Sequence, residues 1–196
     1  VRQSLKSLAG SRYDRNKMIV VLALEERGGA EALKTAELVK EEFASEFFKV
    51  LVTVHPQNIA GEISGKGSNE VWAGRRVKEE IIDPLSLPYE KIITSVFDVD
   101  TNVWNQYFAL LTFKYITHPN PGLASFQPIP IFTNNIWEAP ALARVVSFSS
   151  SFWLTMQQER PERQVTFSSH SMSFQTLVEV GFWQTNIVSE DSRIFW

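Results

Sequence analysis

The 196-residue sequence predicts an α/β fold with a mainly parallel sheet. Apolar runs of strand length occur at Met18–Leu24, Phe48–Val54 and Ile92–Phe97, and the first two are continuous enough for strands buried on both faces. Segments with apolar residues at helical spacing separate these runs. Alternating strands and helices form βαβ units, which place successive strands side by side in parallel.

Four helices are predicted in the first half of the chain from their apolar spacing. In order, they are a short helix around Leu5, one from Ala32 to Phe43, one from Ser68 to about Ile82 and one from Asn102 to about Ile116. A Gly-rich loop, Ile59 to Asn69, follows the second strand, and Ser68 is predicted to cap the third helix.

The second half, from residue 118, has a different character because four prolines interrupt it early. A proline cannot donate to a sheet, so Phe126–Phe132 is predicted as an edge strand only. The later predicted elements are a helix from Pro140 to about Gln158, a short strand Gln164–Ser168 and a helix Ser173–Val180 that Gly181 ends. We interpret residues 1–196 as a single domain with two halves, 1–117 and 118–196.

Composition excludes several classes of function. Lys plus Arg is 19 and Asp plus Glu is 22, which gives a net charge of −3 and argues against a dedicated nucleic-acid binder. The absence of Cys excludes thiol catalysis and Cys-based zinc sites. No run approaches the roughly 18 apolar residues that a membrane span needs. Because the chain starts with Val1, we expect it to be a soluble piece of a longer protein.

Asp98-Val99-Asp100 is the sharpest chemical signal. The two carboxylates follow a predicted strand, at the sheet edge where α/β proteins bind ligands. Carboxylate oxygens favour Mg²⁺ or Mn²⁺, and such a cation can bridge to a diphosphate. The alternative is a turn or a helix cap without a ligand.

Three further segments carry candidate residues. Glu190-Asp191 offers a carboxylate that can take a proton from an attacking hydroxyl, or else an ordinary acidic helix start. Lys66, in a loop with Gly65 and Gly67, can approach a diphosphate, or the loop is a plain surface feature. Glu25 ends the first strand, where it can hold ribose hydroxyls or simply pair with Arg27.

The order of these segments resembles family-2 glycosyltransferases of the cellulose-synthase-like and hyaluronan-synthase-like group. The resemblance rests on the Gly-Lys-Gly loop, the strand ending in Asp98-Val99-Asp100, and Val180-Gly181-Phe182-Trp183 leading to Glu190-Asp191. It implies a Rossmann-like sheet of the glycosyltransferase A type, here without the family's first strand.

The resemblance also implies residue roles. Asp98 and Asp100 bind the donor diphosphate and its Mg²⁺ or Mn²⁺, while Lys66 and Glu25 contact the donor. Asp191 is the catalytic base, and Glu190 beside it shapes the site. The role of His170 stays open between a structural and a catalytic one.

The implied activity is the inverting transfer of a sugar from a nucleotide sugar to a carbohydrate or lipid-linked hydroxyl acceptor. The longer protein is then expected at the cytoplasmic face of a membrane, held by segments outside this chain. Two alternatives stay open: a metal-dependent phosphotransferase that uses the same Asp pair, and a non-catalytic domain with the same fold.

Overall fold

The computed structural model describes residues 1–134, 136–160 and 168–187, which form an α/β fold. The helices are α1 (Arg2–Ala9), α2 (Gly29–Phe43), α3 (Lys66–Val77), α4 (Tyr107–Thr117), α5 (Ala141–Gln157) and α6 (Phe174–Glu179). The strands are β1 (Ile19–Glu25), β2 (Lys49–His55), β3 (Ile93–Val96), β4 (Ser125–Phe126) and β5 (His170–Ser173). The three predicted apolar runs are therefore strands, each within a residue or two of its expected bounds.

β1 and β2 form a parallel pair, as the βαβ interpretation predicts. Their register runs from Ile19 opposite Lys49 to Glu25 opposite His55. α2 connects the two strands, and its buried residues Val39 and Phe43 pack beneath them. The first βαβ unit of the prediction is confirmed.

The described residues do not show the predicted mainly parallel, Rossmann-like sheet. β3 does not pair with β1 or β2 but runs antiparallel to β5, which also pairs antiparallel with β4. The described residues thus form a two-stranded parallel sheet and a three-stranded antiparallel sheet. In the antiparallel register Ser95 faces Ser171, and their hydroxyl oxygens lie 2.7 Å apart. This cross-strand hydrogen bond favours a pairing that apolar periodicity cannot indicate.

Three local predictions also fail for tertiary reasons. Ser68 does not cap α3, because the helix starts at Lys66 and the Ser68 hydroxyl donates to the carbonyl of Ile63 at 2.6 Å. α4 begins at Tyr107, not at residue 102, since the carbonyl of Asn105 accepts the backbone N–H of residue 12 instead. Of the predicted edge strand Phe126–Phe132, only Phe126 lies in a strand, as the second residue of β4.

The end of the chain is only partly described. The predicted helix after residue 173 is confirmed as α6, which Ser173 caps by accepting the N–H of Thr176, and Gly181 follows it with φ of 80°. Most of the predicted strand Gln164–Ser168 lies outside the described residues.

Two buried clusters form the core. One joins α3, β5 and α6 through Val71, Ile82, Met172, Phe174, Leu177 and Trp183. The other joins α1, α2 and the start of β1 through Leu5, Met18, Val39, Phe43 and Phe47. Residues of β1 and β3 pack against the first cluster, as Ile19 and Val96 show, so both sheets rest on one core.

Helix α5 contributes no residue to these buried clusters, because none of its residues is buried. Phe148 is 73% exposed, and Phe152 and Trp153 are exposed with it. Within the described ranges, no helix has the length and apolarity that crossing a bilayer requires.

Candidate functional site

The first turn of α3 brings the ends of several strands together. Asn69 in this turn donates its side-chain amide to the carbonyl of Ala23 near the end of β1, at 3.1 Å. Lys66, which begins the same turn, donates to Oδ1 of Asp98 just past β3, at 2.8 Å. The loop with Lys66 and the Asp-x-Asp segment, 32 residues apart in sequence, therefore meet at one edge of the fold.

Lys66 has three oxygen neighbours in this position. Besides Asp98, its ammonium donates to the carbonyl of Ser168 at 2.8 Å and lies 3.7 Å from Oε1 of Glu70. The Lys66 side chain is 34% exposed and that of Asp98 47%, so solvent reaches the ion pair. Ser168 holds its carbonyl there with φ of 36°, in the left-handed region that disfavours a residue with a side chain.

Asp98 and Asp100 lie on an exposed turn. The N–H of Thr101 donates to the carbonyl of Asp98 at 3.0 Å and closes the turn. Asn134 donates its side-chain amide to the carbonyl of Asp100 at 2.7 Å. Hydrogen bonds to the backbone carbonyls of both aspartates thus fix the turn, while the exposed Asp98 carboxylate accepts from Lys66.

Glu25 is placed at the same edge but is already paired. Its carboxylate accepts from Arg27 Nη2 at 2.8 Å, and Arg27 Nε also lies close. The sequence left open whether Glu25 binds a nucleotide or pairs with Arg27. The ion pair is present, and a role toward the donor stays a prediction.

The sequence did not indicate a pair formed by His55 and Glu62. His55 Nε2 and Glu62 Oε2 lie 2.8 Å apart, and His55 is 7% exposed with its ring edge against Trp72. The contact joins the Gly-rich loop to the end of β2. The only local signal was a histidine at a strand end, and nothing in the sequence linked it to Glu62.

His170 has a structural partner. It is 1% exposed, and its Nε2 accepts the indole N–H of Trp183 at 3.1 Å. An indole N–H only donates, so this ring nitrogen is the acceptor.

The residue after His170, Ser171, has its hydroxyl 3.0 Å from the hydroxyl of Tyr107. Burial raises the pKa of Tyr107, although its hydrogen bond with Ser171 opposes the shift.

The chain beyond Trp183 is tied to the same turn of α3. The N–H of Ile63 and the hydroxyl of Ser68 both donate to the carbonyl of Thr185, at 2.8 and 3.3 Å. The predicted catalytic pair, Glu190 and Asp191, follows a few residues later and lies outside the described residues.

An open groove of about 590 Å³ lies elsewhere, between residues 82–90 and α6. It is lined by Asp83 and Tyr89 among others, and by none of the predicted site residues. The ammonium of Lys78 and then the hydroxyl of Tyr89 lower the pKa of Asp83 by hydrogen bonding. The groove and the candidate site are therefore separate features.

No family model, curated protein or solved structure matches this chain. The resemblance to family-2 glycosyltransferases accordingly rests on the order of the sequence motifs alone.

Proposed function

We propose that this chain is part of an inverting glycosyltransferase that moves a sugar from a nucleotide sugar to a hydroxyl acceptor. The observation that carries the proposal is the 2.8 Å contact between Lys66 and Asp98. The two segments that the resemblance assigns to the donor diphosphate are therefore neighbours in the fold.

The donor side of the proposed site consists of Asp98, Asp100 and Lys66. Within the described ranges, no group of three or more His, Asp or Glu side chains is placed to hold a metal without help. Mg²⁺ commonly binds through one or two carboxylates plus substrate phosphates, and an exposed pair of aspartates fits that pattern. Asp98 and Asp100 would hold Mg²⁺ or Mn²⁺, which offsets negative charge on the leaving diphosphate.

The acceptor side depends on Asp191, with Glu190 beside it. Two anchors of the preceding chain support this assignment. Thr185 accepts from Ile63 and Ser68 beside the helix turn that carries Lys66, and Trp183 donates to His170 in β5. In the proposed reaction Asp191 takes the proton of the acceptor hydroxyl as its oxygen attacks the anomeric carbon. The carbon–oxygen bond to the diphosphate breaks, and the diphosphate leaves with the bonding electrons.

The acceptor class and the location follow the same proposal. The motif order implies a carbohydrate or lipid-linked acceptor. It also implies a location at the cytoplasmic face of a membrane. The exposed aromatic residues of α5 favour a setting with an apolar surface nearby, since a monomer in water rarely displays many of them together.

Donor binding is tested with Asp98→Ala and Asp100→Ala in the longest protein that contains this sequence. Calorimetry with uridine or guanosine diphosphate and Mn²⁺ should show binding to the wild type and a loss of at least tenfold in each variant. Asp83→Ala, which removes an exposed aspartate in the separate groove, is the matched control and should bind normally. Unchanged affinity in both site variants would remove the donor-site assignment.

The base assignment is tested with Asp191→Asn in the same protein. Asparagine keeps the size of the side chain but cannot take the proton, so turnover should fall about 10²- to 10⁴-fold while donor affinity survives. Glu190→Gln is the neighbouring control and should have the smaller effect. If the wild type binds the nucleotide and transfers phosphate instead of sugar, the phosphotransferase alternative holds. Nucleotide binding without any transfer supports the non-catalytic domain.

A further inference from the structure

Helix α5 exposes its apolar side and turns its polar side toward the rest of the chain. Its half-buried residues recur every three or four positions and are mostly polar: Arg144, Ser147, Ser150, Ser151, Leu154 and Gln157. The exposed residues between them form what we call the α5 outer face: Leu142, Val145, Val146, Phe148, Ser149, Phe152, Trp153 and Met156. A surface helix of a globular protein has the opposite arrangement, with its apolar stripe toward the core.

We infer that the α5 outer face lies on a lipid bilayer, with the helix parallel to the membrane plane and its apolar side chains between the headgroups and the acyl chains. A helix with one apolar sector and one polar side suits this position, whereas a buried or spanning helix is apolar all round. The inference goes beyond the proposed function, which places membrane attachment in segments outside this chain and needs no lipid contact from α5.

The apolar sector is broad and continuous. Successive residues of an α-helix are about 100° apart, so the outer face covers a sector of about 160° along a helix about 25 Å long. Two neighbouring aromatic residues lie beside the helix. The N–H of Phe132 donates to the Ser151 hydroxyl at 3.4 Å, and Arg144 Nη2 donates to the carbonyl of Trp137 at 2.9 Å. Trp137 is 84% exposed, so the apolar surface continues past the start of α5.

Charge indicates which kind of surface covers this face. Charged residues make up 21% of the chain, yet Glu138 and Arg144 are the only Asp, Glu, Lys or Arg residues between positions 115 and 157. Their charges cancel, and Arg144 lies on the half-buried side of α5. An uncharged apolar face matches a zwitterionic bilayer, and the affinity should come from buried apolar area without the help of anionic lipids.

The polar groups on the face favour lipid over a second copy of the chain. A protein–protein interface has a polar rim and about ten direct hydrogen bonds, which set the register of the partners. The α5 outer face carries one hydroxyl, that of Ser149, and no charged or amide side chain. A bilayer requires no such groups, and tryptophans such as Trp153 are enriched at its interface with water.

The experiment is flotation of the 196-residue chain with phosphatidylcholine vesicles, in the wild type and in the double variant Phe148→Ser and Phe152→Ser. The wild type should float with the vesicles, and added salt should not release it. Both phenylalanines are exposed, at 73% and 62%, so the variant should keep the wild-type circular dichroism. Embedding about half of each ring predicts that the variant binds about ten- to a hundredfold more weakly.

The matched control is the double variant Leu33→Ser and Leu38→Ser on α2. These leucines are also exposed, at 40% and 49%, but they are surrounded by charged residues of the same helix such as Glu37 and Lys40. The control removes two exposed apolar side chains from a solvated face, so its binding to vesicles should equal that of the wild type.

Four results would overturn the inference. They are a wild type that does not float, equal binding by the Phe148→Ser and Phe152→Ser variant, an equal loss in the control, and binding only to vesicles that contain phosphatidylserine. If the wild type stays off the vesicles and is a dimer that the phenylalanine variant separates, the face is an interface between copies instead. No nucleotide or acceptor is present in this experiment, so its failure leaves the proposed sugar transfer open, and loss of nucleotide binding in the donor-site variants leaves the lipid contact open.

Discussion

Replacing Gly74 in α3 by alanine is predicted to destabilise the protein, because the added methyl group would meet the ring of Phe182. A Cβ built on Gly74 would lie 2.8 Å from two carbons of the Phe182 ring, closer than real Cβ contacts. Phe182 itself has φ of 73°, and it directly precedes the buried Trp183. Gly74 therefore lets the segment that leads toward Glu190 and Asp191 pack onto α3.

Two effects of Gly74→Ala oppose each other. Replacing glycine by alanine inside a helix stabilises it by about 1 kcal/mol. Forcing a methyl group into a packed contact costs about 1–3 kcal/mol. The net change should be a destabilisation of up to about 2 kcal/mol. In a Phe182→Ala background the ring is gone, so the same substitution should stabilise the protein by about 0.5–1 kcal/mol.

Urea unfolding followed by tryptophan fluorescence measures all four proteins of this cycle. The coupling between the two positions should be about 1–3 kcal/mol, within the range for residues in contact. If Gly74→Ala stabilises the wild type as much as it stabilises Phe182→Ala, the steric reasoning is refuted.

Two further predictions concern stability. Burial raises the pKa of Tyr107, so its contribution to the free energy of unfolding is fully present below the pKa of an unfolded tyrosine, about 10. That contribution is lost as the pH rises through the raised pKa. Tyr107→Phe should therefore lose stability less steeply than the wild type in urea unfolding between about pH 9 and 11, and equal slopes would contradict this. Phe174→Ala, at a side chain 2% exposed, should cost about 3–5 kcal/mol, whereas Phe148→Ala, 73% exposed on α5, should change the free energy of unfolding by less than about 0.5 kcal/mol. Similar losses in both variants would show that α5 is packed against the rest of the chain.

Much of the candidate donor site was predictable because its residues are local signals. Asp98 and Asp100 follow an apolar run, and Lys66 lies between glycines ahead of a helix, so each can be read within a few residues. The contact between Lys66 and Asp98 could not be predicted from the sequence, since it depends on how α3 lies across the strand ends. The His55–Glu62 pair was missed for the same reason, as a seven-residue separation through a loop carries no periodic signal.

The sequence by itself determined where β1, β2, β3 and most helices lie, because apolar spacing and the positions of Gly and Pro act within a few residues of the chain. It also determined the first parallel pair, since two strands joined by a single helix in a short βαβ unit pair in parallel. It did not predict β5. Only the tertiary structure decided the partner of β3. That strand pairs with β5, more than 70 residues later, through the Ser95–Ser171 hydrogen bond and a shared core under Met172 and Phe174. Such pairing depends on which surfaces bury each other across the whole molecule, and no local pattern records it.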